Sequence, residues 1–323
     1  MLKKLMAKLG VGAAKVDLQL DRSGYRLGET MTGVVRIEGG NVEQSISDLS
    51  AVLMMKAYVK GQEVRKAVQL YPVRSNFTVQ PKPAVQEIPF AFELPEGLAM
   101  STPSIQYYLH TKLDVEMALD PTDMDFIQVL PPEPVESVLQ ALERLDLRQK
   151  QDSGKLTPYG QEFSFFPATQ LGMPLKELEV IFFSAPGELK LLVELDLATG
   201  FLRREVEYKA EIVVPQGLLQ PGQEEELSRF LLETIREYAN NPSAIPYVSM
   251  AAYRQGQYGH HSHRGSGMGG MIGGMAAGFL GGMLLNEMMF GDEEMASEDD
   301  MGGDEGDDGD DGGFDFGGFD EEL

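Results

Sequence analysis

Acid–base and metal chemistry near neutral pH call first on histidine, and this chain has four. His260, His261 and His263 stand almost together near the C-terminal end. Imidazole nitrogens with nearby methionines can hold a transition metal, but this stretch is rich in glycine and fixes no geometry. His110 falls inside IQYYLHTKLDVEM, a strand-like run, and is read as serving the fold rather than catalysis. The string Asp120-Pro121-Thr122-Asp123-Met124-Asp125 gathers carboxylates, the ligands of hard cations. It lacks the D-x-D-x-D-G spacing and distal glutamate of an EF-hand loop. It is read instead as a capped turn, with Asp120 accepting backbone N–H bonds, Pro121 fixing direction and Asp123 or Asp125 closing the loop. A nucleophile elbow and a phosphate-binding loop are both missing from the sequence. The Gly10 to Lys15 stretch GVGAAK precedes the first strand and lacks the third glycine of a dinucleotide loop. With no cysteine, the chain has no disulfide, thiolate metal site or cysteine nucleophile. The sequence thus assigns no catalytic, cofactor-binding or metal residue, names no binding residue, and reads as a protein that is not an enzyme.

Charge narrows the partners. The formal net charge is −24, and residues 265–323 hold 17 acids and no Lys or Arg. The acidity therefore belongs to one end. Nucleic acid is excluded as a main partner, since phosphate binding needs a basic face. No stretch of about 18 apolar residues suggests a membrane span, and Lys8 interrupts the apolar run that a signal peptide would need. A cytoplasmic location is expected.

The elements that would position any site are mostly strands. From Ala14 to Leu130 the sequence alternates apolar and polar residues in seven runs separated by Gly- and Pro-containing turns. That pattern predicts an antiparallel sandwich over residues 1–132, preceded by a short basic amphipathic N-terminus. Val135, Val138, Leu139, Leu142 and Leu145 then recur at helical spacing and predict a linker helix over 133–148. A second β domain is expected over 149–246, from QEFSFF, ELEVIFF, ELKLLVELDL and RREVEYKAEIVVP, with a helix over 224–239 that Asn240-Asn241-Pro242 stops. Residues 247–323 are expected to be disordered, because glycine and acid cannot bury enough surface to offset chain entropy. Within them, Gly270, Gly274, Gly278 and Gly282 recur every fourth residue. The segment 268–290 reads either as a flat helical face for another helix or a membrane, or as an unfolded spacer. The acidic end carries Phe314, Phe316 and Phe319, read as a solubilising tail or as short docking anchors.

Several of these strings resemble one family. AAKVDLQLDRSGYRLGETMTGVVRIEGG is similar to the first hairpin of the bacterial sporulation-control proteins, and HTKLDVEMALDPTDMDFIQVLP, residues 110–131, to the end of their first domain. QEFSFFPA, ELEVIFF and ELKLLVELDL resemble strands of the second. The resemblance implies two arrestin-like β-sandwich domains in tandem, related to arrestins and to the arrestin-fold subunit of retromer. It implies a regulator or scaffold without catalysis or cofactor, working through contacts with other proteins. The competing reading is a peripheral membrane adaptor in stress or envelope control, held weakly by the basic N-terminus and the glycine-rich segment. Partner identity, oligomeric state and the mutual orientation of the two domains are not readable from the residues.

Overall fold

The computed structural model describes residues 12–246 except 60, 117–118, 170, 186 and 200–203, together with the pair 278–279. The N-terminal turn, the histidine cluster and the acidic phenylalanine tail lie outside the described residues.

Alternation in the first unit builds two sheets. One has the order β1-β3-β6, from Lys15–Leu20, Thr30–Glu38 and Val85–Glu93. The other has the order β2-β8-β7-β4-β5, from Gly24–Arg26, Thr122–Leu130, Ile105–Val115, Gln44–Val59 and Gln62–Val79. Every pairing is antiparallel except β2 with β8. Each strand sends one set of side chains inward, as a period of two requires. Leu18, Val35, Ile37, Leu49, Leu53, Met55, Tyr107, Leu109 and Ile127 fill the space between the sheets. The β4–β5 hairpin is 16 and 18 residues long, and register shifts at Leu49/Ser50 and Leu53/Met54 interrupt it. Such bulges bend and twist a long ribbon that would otherwise stay flat.

α1, Glu133–Arg144, follows directly. Pro134 suits its first turn, Glu133 and Glu136 complement the positive end of its dipole, and Arg144 lies in its last turn. The second unit is a sheet of order β10-β11-β12-β13-β14, built from Lys155–Thr157, Gly160–Pro167, Leu175–Ala185, Glu188–Thr199 and Arg204–Val214. β9, Leu147–Gln149, pairs with β11. Val135, Val138 and Leu142 of α1 and Leu227, Leu231 and Ile235 of α2, Glu224–Asn240, pack on the apolar row Leu189, Leu191, Val193, Leu195 and Leu197 of β13. The expected second sandwich is thereby corrected: among the described residues this unit is one sheet with two helices over one face. The physical reason is that both helices carry apolar stripes wide enough to cover that face. A second correction concerns the glycine run. Gly278–Phe279, β15, is extended and pairs with Phe183 and Ser184 of β12, so at these two residues the chain is neither a helical face nor a spacer.

The units share a core and a polar joint. Leu156, Ile181, Phe183 and Leu192, on the second sheet's other face, join the first unit's core. Gln161 is 1% exposed. Its Nε2 donates to the carbonyls of Met100 (2.9 Å) and Gly154 (3.0 Å), and its Oε1 accepts from the Met100 N–H at 2.7 Å. One side chain therefore satisfies both backbone groups of a residue in the other unit. Arg26 adds an ion pair to Glu136 of α1 at 2.6 Å and donates to the Pro131 carbonyl.

Candidate functional site

Alternation that fills the first core also sets the outer face of the five-stranded sheet, and that face is unusually apolar. Ladder register aligns Phe126, Tyr108, Met54 and Ala67 in one row across β8, β7, β4 and β5, and Met124, His110, Val52 and Leu70 in the next. Phe126 is 62% exposed, Leu70 56% and Met124 51%, at the β8 and β5 ends of the rows, while Val52, Met54 and His110 between them are half-buried and Tyr108 is buried. The Tyr108 and Phe126 rings meet at 5.9 Å between centroids in a tilted pair, a favourable aromatic geometry. Single exposed apolar residues are ordinary, but outward-facing apolar rows that carry several of them mark a candidate interaction surface.

One end of the face is polar and self-neutralised. Glu63 takes Lys56 at 3.0 Å, Arg65 at 2.7 Å and the Tyr58 hydroxyl at 3.1 Å. The Lys56 and Arg65 hydrogen bonds hold its carboxyl at about 2. This exposed knot contributes little to stability. It leaves the centre of the face free of unpaired charge.

His110 sits on this outer face between Met124 and Val52 in register, half-buried. It is thus not a core residue: Leu109 and Thr111 on either side take the inward positions. The carboxylates of the 120–125 string separate. Asp120 caps the turn, with Oδ1 accepting from the Val115 N–H at 3.0 Å and Oδ2 paired to Lys112 at 2.9 Å; the Lys112 bond, then the backbone bond, lower its pKa. Asp123 and Asp125 do not close the loop. They belong to β8 and face the inside of the sandwich, Asp123 accepting from the Leu18 N–H of β1 at 2.7 Å.

The free edges of the two sheets behave differently from the face. β5 and β6 flank a groove of about 430 Å³. Inside it Tyr71 stacks on Phe92 at 4.5 Å, Phe92 on Phe90 at 4.4 Å, and the Tyr71 hydroxyl donates to the Glu93 carbonyl at 2.7 Å. Pro72 and Pro89 interrupt the two edges. Proline has no N–H to offer an incoming strand, so these edges are poorly suited to strand addition there.

On the second sheet, the face away from the helices carries a group of acids beside the apolar residues that join the first core. Glu162, Glu179, Glu194 and Lys209 border a cavity of about 30 Å³, roughly the volume of one water. Burial, then Glu162 and Glu194, push the Glu179 carboxyl up to about 7. Glu194, Asp196 and Glu207 place carboxylate oxygens within 4.8 Å of one another, with Lys209 2.5 Å from Glu194. No described helix is long and apolar enough to cross a membrane.

Fold and surface together define a mainly β, multi-sheet protein whose most prominent outer feature is an apolar sheet face. The family model described as "Spo0M: SpoOM protein" matches residues 2–199, and the chain belongs to that family. It is 32% identical over 254 residues to "Sporulation-control protein spo0M" of Bacillus subtilis (strain 168), covering 73% of this chain and 98% of that protein. A solved structure, "Crystal structure of Spo0M, sporulation control protein, from Bacillus subtilis", superposes with a TM-score of 0.55 at 29% identity, over 71% of this chain and 100% of that one.

Proposed function

We propose that this chain is a non-catalytic, arrestin-like scaffold of the sporulation-control type, acting in the cytoplasm through protein contacts on its β surfaces. The observation that carries the reading is the two-row apolar face of Phe126, Tyr108, Met54, Met124, Val52 and Leu70. An exposed face of this kind is retained against solubility only where something covers it. The Pro-blunted edges favour the face over strand addition. Raised carboxyl pKa values often flag catalysis, but Glu179 borders a space for one water, not for a substrate. In this proposal the first sandwich and the helix-backed sheet are the two halves of the arrestin-like pair.

The test is site-specific photo-crosslinking in cells of the source organism. A probe at Phe126 should crosslink one discrete protein, and Met124→Asp with Leu70→Asp should abolish that product without lowering the melting temperature. Crosslinks that form only from probes on other faces would refute this assignment.

A further inference from the structure

The seam of the first sandwich carries a group of oxygens that the scaffold reading does not use. The inner face of β8 runs Asp123, Asp125, Ile127, Val129, so two carboxylates occupy positions where the strand's other residues are core. Directly opposite Asp123 in the ladder stands Thr111 of β7. Directly opposed residues project to the same face with Cβ atoms about 5 Å apart, so its hydroxyl and the carboxyl of Asp123 share one space. Thr111 is 0% exposed, and its Oγ1 has no hydrogen-bond partner. Asp125 Oδ2 is likewise buried without one. Burial, then the charge of Asp123 and a hydrogen bond with it, then the charge of Asp17 on β1, push the Asp125 carboxyl up to about 7. No Lys or Arg is among the groups acting on it.

Buried polar oxygens are normally satisfied, and neighbouring carboxylates need a neutralising charge. A proton shared between Asp125 and Asp123 answers the second need and leaves the Thr111 hydroxyl unfilled. A cation answers both. Every donor is oxygen, which selects a hard ion over a thiolate- or imidazole-seeking one. We infer that the seam binds a hard divalent cation, Mg²⁺ or Ca²⁺, through the carboxylates of Asp123 and Asp125 and the Thr111 hydroxyl, with Asp17 adding charge from β1. Because Asp123 also holds the Leu18 N–H, the ion pins β1 to β8. The Glu194, Asp196 and Glu207 group makes no second site: it is surface acid with Lys209 already at Glu194 and has no buried orphan oxygen beside it.

The experiment follows thermal unfolding of the full chain, stripped with EDTA and dialysed, while CaCl₂ or MgCl₂ is titrated in. A ligand bound only by the folded state raises the melting temperature, by about 3–6 °C at ten times its Kd for a chain of this size. Asp125→Asn should raise the metal-free melting temperature, by relieving repulsion, and remove the cation response. Thr111→Val, nearly isosteric, should shift the response to several-fold higher cation. Glu207→Gln should respond as the wild type does. The C-terminal acids are present in every variant, so their own ion binding cancels. A melting temperature flat in both salts, or an Asp125→Asn chain that responds like wild type, overturns the site. Stabilisation by acid alone, with no cation response, assigns the neutralising charge to a proton and also overturns it.

Discussion

Replacing Gln161 by leucine tests the joint between the two units most directly. Leucine keeps nearly the same volume, so no large cavity opens, but three hydrogen bonds disappear. The Gly154 carbonyl keeps a second donor in the Thr102 hydroxyl at 3.3 Å. The N–H and carbonyl of Met100, a residue of the first unit's chain whose side chain reaches into the second core cluster, lose their partner. A buried polar group left unpaired costs about 1–3 kcal/mol, so the two together predict a loss of about 2–5 kcal/mol. In a body of this size that is roughly a 5–15 °C fall in melting temperature. Urea unfolding should show the midpoint fall, and the slope should fall too if the units begin to unfold separately. Gln161→Glu adds a control: it keeps the acceptor for the Met100 N–H, loses both donations, and should be worse at pH 8 than at pH 5. A Gln161→Leu loss below about 1 kcal/mol with an unchanged slope would refute the claim that this amide joins the units.

Further outcomes follow from the same geometry. Asp120→Ala should cost about 0.5–2 kcal/mol, as lost caps do, and should do so equally in EDTA and in calcium, read from urea midpoints. Gly154 has φ +80° and lies against the Thr102 methyl; Gly154→Ala should cost about 1–3 kcal/mol through strain and crowding, whereas Ala at the open-spaced Gly187, also at positive φ, should cost less by the same assay. The Glu179 carboxyl is raised, so the folded chain holds a proton that the unfolded chain releases between about 4.5 and 7. Its contribution to stability is therefore present at low pH and lost as pH rises through 7; Glu179→Gln should flatten this part of the profile and stabilise the chain at pH 8, measured by unfolding between pH 5 and 8.

Much of this architecture was legible because it rests on periodicity. Val16 and Leu18 alternate with Asp17 and Gln19 and form β1; Val135, Val138 and Leu142 keep helical spacing and form the face of α1. Three-residue strands were not legible. β2, β9 and β10 are too short to show a period, and only their ladders reveal them. The strand pattern of the second unit predicts a β domain and leaves its closure open; the second sandwich is implied by the resemblance alone, because strands display an apolar face without saying what covers it. The covering stripes of α1 and α2 were visible in the sequence, yet helical spacing alone does not say which sheet a helix lies on. Asp123 or Asp125 reads as the residue that closes the loop because Asp-Pro announces a turn and the strand-like run DFIQVL begins only at Asp125. The strand resumes at Thr122, however, and the pattern D-x-D-x-I-x-V already carried the period-two signal that puts both carboxylates on the core side.

The same alternation decides which surface can work as a binding site. On β7, Leu109 and Thr111 point inward, so Tyr108 and His110 must point out, and the pleat then aligns them with Met54 and Val52 on one side and Phe126 and Met124 on the other. A one-residue slip would exchange core and surface throughout β7. It would expose Leu109 and Leu113 and bury His110 and Lys112, so packing fixes the register strongly. The outward rows are therefore fixed by the same register that builds the core, and they are presented on a rigid sheet rather than on loops. That geometry suits a partner that docks on a preformed apolar face with little ordering of this side of the interface. It also accounts for the Glu63 knot at one end: pairing Lys56 and Arg65 to one carboxylate removes free charge that a docking partner would otherwise have to desolvate.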